Sequence, residues 1–194
     1  MSNSALATAR YPAHANNYWG DRQGTKIDRI IIHHMAATWT AKRCCESFQD
    51  PKRGASANYC IGKDGEIAVC VDEVYASGCS SNRDADMHGI TIEVGNNVTG
   101  GQWTVSDKAL TSLIKLCADI AKRNGLGKLV KGKNLCWHQM YAATACPGPY
   151  LISKLDLICD EVNKNNYPEK KENTEVKIVG ITGINKARGA NDLI

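Results

Sequence analysis

The residue types best suited to chemistry lie in the segment 137–150, which reads Trp-His-Gln-Met-Tyr-Ala-Ala-Thr-Ala-Cys-Pro-Gly-Pro-Tyr. His138 precedes Cys146 by eight positions, and the sequence Pro-Gly-Pro follows the cysteine directly. A neutral imidazole and a thiolate are both good zinc ligands, and the proline-rich turn would hold the sulfur in place. Two ligands do not complete a catalytic site, so a third has to come from elsewhere in the chain.

The run Ile-Ile-Ile-His-His at residues 30–34 is the obvious source of that third ligand. Its β-branched residues predict a strand that is buried on both faces. Because successive side chains of a strand point to opposite faces, His33 and His34 cannot both reach one metal ion comfortably. One of them is a candidate ligand, and the other is expected to be a packed or supporting histidine.

A zinc ion held by His33, His138 and Cys146 would keep its fourth tetrahedral position for water or substrate, as catalytic zinc does. Two imidazoles and one thiolate would also leave the ion a net positive charge, which allows it to polarise a carbonyl group. This ligand set therefore favours hydrolysis over a structural role. A structural zinc would need a fourth protein ligand, and His34 is the only candidate nearby in the sequence.

Hydrolysis of an amide also needs a group that accepts and returns a proton, and Glu93 is the best candidate. It is the single carboxylate in the strand-like run Gly-Ile-Thr-Ile-Glu-Val at residues 89–94. The alternative is an edge strand on which Glu93 faces water. Tyr59 or Thr144 could supply the hydroxyl that stabilises the developing oxyanion.

These residues are positioned by a short series of predicted elements. Asp64-Gly65 between two strand-like runs predicts a β-hairpin over 57–71, whereas Ala76 to His88 is predicted to be a loop. Thr40 is expected to cap a short helix over 41–49, and Ser106 a core helix that ends at Asn124-Gly125. A further helix is expected to begin after Pro149.

Length and composition indicate one domain with appendages. The 194 residues divide into an N-terminal arm (1–26), a domain (27–166) and a charged linker and tail (167–194), which is either a flexible end or the start of a wall-binding or oligomerisation segment.

A net charge of +4 is too small to indicate nucleic-acid binding. Nine cysteines without a Cys-x-x-Cys pair or a secretory signal are expected to be mostly reduced and buried.

No apolar run is long enough for a signal peptide or a membrane span, so membrane insertion is not expected. The chain is therefore expected to be made in the cytoplasm without an export signal.

Four blocks of this sequence together resemble the zinc-dependent N-acetylmuramoyl-L-alanine amidases. They are Ile-Ile-Ile-His-His-Met-Ala from residue 30, Ala-Ser-Ala-Asn-Tyr-Cys-Ile-Gly-Lys-Asp-Gly from residue 55, Gly-Ile-Thr-Ile-Glu-Val from residue 89, and Trp-His…Thr-Ala-Cys-Pro-Gly-Pro-Tyr-Leu from residue 137. The resemblance covers residues 10 to 160 and is greatest to phage endolysins and autolysins of Gram-positive bacteria, which are related to peptidoglycan-recognition proteins.

The resemblance implies an α/β (α+β) fold with a central mixed sheet, flanking helices and a zinc cleft on one face. It implies that His33, His138 and Cys146 hold Zn²⁺, that Glu93 is the catalytic glutamate, and that Tyr59 is the active-site tyrosine. Several relatives have a lysine where this chain has Thr144. The implied substrate is the amide between N-acetylmuramic acid and the first L-alanine of the peptidoglycan stem peptide, cut in the cell wall after release of the enzyme from the cytoplasm.

Other functions remain as alternatives. Relatives that have lost a zinc ligand bind peptidoglycan without cutting it, and a cytoplasmic amidase that recycles soluble muropeptides would also lack an export signal. Two histidines, a cysteine and Met35 or Met140 also resemble the ligand set of a blue-copper electron-transfer site. Glu93 has no role in that last alternative.

Overall fold

The computed structural model describes residues 2–168. The strands are β1 (Ala9–Arg10), β2 (Tyr18–Asp21), β3 (Arg29–His34), β4 (Tyr59–Ile61), β5 (Ile67–Val69), β6 (Tyr75–Ser77), β7 (Gly89–Val94) and β8 (Leu135–Trp137). The helices are α1 (Ala41–Ser47), α2 (Arg83–His88), α3 (Asp107–Arg123) and α4 (Gly148–Asn166), with short 3-10 turns at Ala15–Asn17 and His138–Met140.

Six of the strands form one mixed sheet in the order β1-β5-β4-β7-β3-β8. Strand β3 pairs in parallel with both β7 and β8, β4 also pairs in parallel with β7, and β4 and β5 form the antiparallel hairpin predicted around Asp64-Gly65. Strands β2 and β6 make a separate antiparallel pair. The predicted α/β fold, a central mixed sheet flanked by helices, is confirmed.

One face of the sheet carries the main hydrophobic core. The even-numbered isoleucines of β3 and β7 point to this face, where α3 packs on β3, β4 and β7 and α4 packs on β8. Ser106 caps α3 by accepting the backbone N–H of Ala109, as predicted, and the helix ends before Asn124-Gly125. The opposite face, covered by α1 and α2, is therefore the face on which a site can open.

The segment 76–88 is not the loop that its polar composition predicted. It contains most of β6 and the whole of α2, whose first turn is capped by the Asn82 side chain accepting the backbone N–H of Ala85. The helix has only six residues and exposes charged side chains, so it lacks the apolar periodicity that identifies longer helices.

The N-terminal segment also contributes more than the surface arm that was expected. Strand β1 extends the main sheet by pairing with β5, and β2 pairs with β6. The Arg22 guanidinium is buried and donates hydrogen bonds to four backbone carbonyls, those of Glu73, Asp86, Met87 and Gly89. These bonds join the segment to the C-terminal end of α2 and to the loop before β6.

Within residues 2–168 no helix combines the length and the apolar character that crossing a membrane requires. The predicted linker and tail at 167–194 lies outside the described residues except for its first two positions.

Candidate functional site

Two of the predicted metal ligands meet at the carboxyl ends of β3 and β8. His33 is the penultimate residue of β3, and His138 directly follows β8. Because Ile32 lies opposite Trp137 in the parallel pair, the next residue of each strand comes to the same edge, and the two imidazole centroids are 4.6 Å apart. Cys146 completes the group, since one ligand atom from each of the three side chains lies within 4.8 Å of the others.

The loop before α4 holds Cys146 in this position. Its backbone N–H donates to Thr144 Oγ1 at 3.1 Å, and its Sγ accepts the backbone N–H of His34 at 3.3 Å. Gly148 follows with φ +84°, and a Cβ there would lie 2.9 Å from the Trp103 Cβ. A side chain at 148 would be strained and would collide with Trp103, so glycine allows α4 to begin directly after the cysteine.

Only His33 of the histidine pair reaches this cluster. Its side chain is fully buried, with Nδ1 3.7 Å from Cys146 Sγ and Nε2 3.4 Å from Ser80 Oγ. His34 points to the opposite face, where its ring makes an edge contact with Trp103 at 5.1 Å between centroids. The alternation of side chains along β3 thus separates the two roles that the sequence left open.

Glu93 faces the same cluster from β7. It lies in register with His33, and β7 is flanked by β3 and β4, so the alternative of an edge strand facing water is wrong. The Cys79 thiol donates to Glu93 Oε1 at 3.7 Å, whereas Oε2 is buried without a hydrogen-bond partner among residues 2–168. Burial raises the pKa of Glu93 to about 7, against the smaller lowering effects of Cys79 and Arg53.

Tyr59 lies on the other face of the sheet, so its predicted role in the active site is not supported by its position. It is fully buried in the main core beside Ile92, its register partner. Its hydroxyl donates to the buried Glu73 carboxylate and accepts the backbone N–H of Ser4. Cys60, the next residue, is the one that lies in register with Glu93.

Replacing Tyr59 with Phe should therefore lower stability and leave catalysis almost unchanged. The change leaves the Ser4 N–H and one bond to Glu73 unsatisfied in the core, which should lower the free energy of unfolding by about 1–3 kcal/mol. Urea unfolding measures this loss, and the rate of the hydrolysis expected from the sequence should change by less than about twofold, well below the effect of losing a catalytic proton donor. A folded variant that has lost most of its activity would contradict this assignment.

The chemistry of the donor set fits a metal ion. Burial lowers the pKa of His33 and of His138, so both imidazoles are neutral and keep a lone pair for a cation. Burial and the Glu93 charge raise the pKa of the Cys146 thiol, so it needs a nearby cation to ionise at neutral pH. His138 Nε2 is buried without a hydrogen-bond partner among the described residues, as expected beside a cation site.

Sequence reasoning missed Cys79 and Ser80, which contact Glu93 and His33. Both lie in the turn between β6 and α2, and the buried Asp86 carboxylate accepts their backbone N–H groups at 3.1 Å. Trp19 Nε1 donates to the same carboxylate. No sequence motif marks this turn, because its contacts with Glu93 and His33 form only when α2 packs against β7.

Comparisons with known proteins agree with this geometry. Residues 23–149 match the family described as N-acetylmuramoyl-L-alanine amidase. A search of curated protein sequences finds no significant match.

Among solved structures, PlyL is similar with a TM-score of 0.65 and 12% identity, covering 79% of this chain and 95% of PlyL. A mutant endolysin from Bacillus subtilis has a TM-score of 0.65 and 18% identity, and the match covers 79% of this chain and 97% of the endolysin. The endolysin N-acetylmuramoyl-L-alanine amidase LysCS from Clostridium intestinale URNW has a TM-score of 0.58 and 18% identity. That match covers 79% of this chain and 97% of LysCS.

At these identities the solved structures establish the fold alone, and the family match carries the classification. It spans well over half of the 194 residues and includes each member of the cluster described above. The chain therefore belongs to the N-acetylmuramoyl-L-alanine amidase family and is a peptidoglycan amidase.

Proposed function

We propose that the chain is a zinc-dependent endolysin that cuts the amide between N-acetylmuramic acid and L-alanine in the cell wall. The observation that carries the proposal is the convergence of His33, His138 and Cys146 beside the Glu93 carboxylate. Two neutral nitrogens and one sulfur would hold Zn²⁺ and leave room for a further ligand. When bound, Zn²⁺ would supply Lewis-acid polarisation of the amide carbonyl and a lowered pKa for water.

Glu93 is proposed to move the protons of the reaction. Its unpartnered Oε2 accepts a proton from the attacking water and then gives that proton to the leaving amide nitrogen, which departs as the free amine of L-alanine. A pKa of about 7 suits both transfers, because the group can be deprotonated for the first and protonated for the second. The buried surroundings keep bulk water from competing for the same oxygen.

Thr144 is proposed to donate a hydrogen bond to the developing oxyanion. Its oxygen already accepts the backbone N–H of Cys146, which fixes the side chain and leaves the hydroxyl proton free to point elsewhere. A neutral hydroxyl donates a weaker bond than a charged group does. Thr144 therefore also has a positioning role, since the same contact orients the backbone of a proposed metal ligand.

The bond that is cut can be tested directly on purified Gram-positive cell walls. After digestion, mass spectrometry should find stem peptides with a new N-terminal alanine and glycan strands with intact lactyl groups. Wall binding without new amino termini would instead indicate the non-catalytic binding module. Activity restricted to small soluble muropeptides, with none on intact walls, would indicate the recycling amidase and contradict the endolysin assignment.

Two further interpretations are disfavoured by the same contacts. A blue-copper site has no use for the Glu93 carboxylate that faces the cluster in register with His33. A structural zinc would require a fourth protein ligand. The His34 ring lies on the opposite face against Trp103, and the nearby Cys79 thiol donates to Glu93 instead. Metal analysis of the purified protein should find zinc in a colourless sample, and copper in a blue sample would contradict the proposal.

A further inference from the structure

A second group of sulfur atoms lies on the same face of the sheet, outside the site described above. The Sγ atoms of Cys45, Cys60 and Cys70 all lie within 4.8 Å of one another. Cys44 packs in the same cluster, and its thiol interacts directly with that of Cys60. Each of the four side chains is at most 3% exposed, and all four are free thiols.

Three elements bring these cysteines together. In the β4–β5 hairpin Cys60 lies opposite Ala68, and Cys70 follows two positions later on the same face. Cys44 and Cys45 are adjacent in α1, which packs on both strands. Because Ala68 is small, the helix approaches the hairpin closely and its thiols reach the two strand cysteines.

Ordinary core cysteines do not gather in this way. Cys117 and Cys159 lie among leucines and isoleucines of the main core, as small hydrophobic side chains do. A tetrahedral zinc–thiolate site has Zn–S bonds of about 2.3 Å, which places its sulfurs about 3.8 Å apart. The sulfurs of Cys45, Cys60 and Cys70, which lie within 4.8 Å of one another, would reach that geometry by a small contraction of their side chains. The Cys44 thiol, which contacts Cys60, would have to move toward the same point.

We infer that Cys45, Cys60 and Cys70, with Cys44 as the fourth ligand, form a second metal site that takes a structural Zn²⁺ ion. A set of four thiolates closes the coordination shell, so this ion has no open position for substrate. Each thiol that binds releases its proton to solvent.

One positively charged side chain lies close to the cysteine cluster. The Arg53 guanidinium lies over the ring of Phe48, which packs in the same cluster as the four cysteines. Four thiolates around Zn²⁺ leave a net negative charge, and Arg53 offsets part of it.

The position of this site gives the ion a structural role. It ties α1 to the β4–β5 hairpin, and β4 is the strand that lies beside β7 with Cys60 in register with Glu93. The ion therefore supports one wall of the catalytic cleft without contacting the substrate. This inference does not depend on the reaction proposed above.

Zinc stoichiometry tests the inference in the full chain, purified under reducing conditions and analysed by mass spectrometry for metal. The wild-type protein should contain two zinc ions, and the variant Cys45→Ala/Cys60→Ala/Cys70→Ala only one. The matched control Cys117→Ala/Cys159→Ala, which removes buried thiols elsewhere, should keep both. A wild-type protein with a single ion that disappears in Cys146→Ser would overturn the inference, as would an intact mass showing a disulfide.

A second measurement leaves the four cysteines unchanged, so it holds even if the triple variant fails to fold. The variant Cys146→Ser keeps no thiol among the ligands of the first site, and Co²⁺ is added as a spectroscopic probe. The near-ultraviolet charge-transfer absorption of cobalt thiolate should persist, and one equivalent of Zn²⁺ should displace it. Absence of that absorption, or binding of Cu⁺ but not of Zn²⁺, would overturn the inference.

Discussion

Replacing Glu93 with Gln should lower kcat/KM for cell-wall hydrolysis by about 10²- to 10⁴-fold, the range expected when a general acid–base group is lost. The amide has nearly the same shape as the carboxyl group, but it cannot accept a proton from water or return one to the leaving nitrogen. Initial rates of turbidity loss in purified cell walls measure the effect. Stability should rise slightly or stay constant, because a buried carboxylate without a partner on Oε2 is unfavourable.

The control for this prediction separates proton transfer from metal binding. Glu93→Gln should retain the zinc content of the wild-type protein, because the proposed ligands are His33, His138 and Cys146. The surface variant Glu161→Gln in α4 changes the net charge equally, and its rate should match the wild type. Loss of zinc from the Glu93→Gln variant would indicate that Glu93 is a metal ligand. An unchanged rate of hydrolysis would show that Glu93 does not take part in the mechanism.

Replacing Cys146 with Ser should abolish activity by removing the catalytic zinc. A serine hydroxyl does not ionise at neutral pH, so only the two imidazoles would remain as effective ligands. Lewis-acid stabilisation is worth several kcal/mol, and its loss corresponds to a decrease in kcat/KM on the order of 10³-fold or more. Metal analysis and wall-hydrolysis assays on the same preparation measure the two effects together.

Cys159→Ser is the matched control for Cys146→Ser. It introduces the same change of sulfur to oxygen at a buried position of α4 within the main core. It should lower the thermal stability and leave both zinc content and specific activity of the folded protein unchanged. If Cys146→Ser keeps its zinc and its activity, then Cys146 is not a ligand and the proposed site is wrong.

Much of the site could be predicted because its residues carry local signals. The Thr-x-Cys-Pro-Gly segment marks Cys146, the apolar run before His33 marks its strand, and a lone carboxylate in such a run marks Glu93. Alternation along β3 also predicted that only one histidine of the pair would be available. Which one it is depends on the register between β3 and β8, and sequence periodicity does not contain that information.

Tyr59 shows which property of a site residue the sequence alone does not determine. Its hydroxyl makes it a reasonable oxyanion donor, and it lies in a block that resembles the family. However, the face of the sheet to which the Tyr59 side chain points follows from the pairing of β4 with β7. This pairing puts Cys60, and not Tyr59, on the side of Glu93. A shift of one residue in such a register reverses every side chain.

The turn that carries Cys79 and Ser80 could not be predicted for a different reason. Its contacts with the site join residues far apart in the sequence, and its conformation depends on Asp86 in a helix too short to show periodicity. The cysteine cluster is similar, since its members come from α1, from β4 and from the residue after β5. Each of them alone has the surroundings of an ordinary buried cysteine.

The hydrogen bonds of Arg22 bear on how this enzyme can be recombined with other modules. The family match begins at residue 23, directly after the arginine whose guanidinium is bonded to the backbone at the C-terminal end of α2 and to Glu73 before β6. A graft that starts at the match boundary would discard Arg22 together with β1 and β2, and would remove the hydrogen bonds that Arg22 donates to four carbonyls. The smallest transplantable catalytic unit should therefore include residues 2–22, even though they carry none of its chemistry.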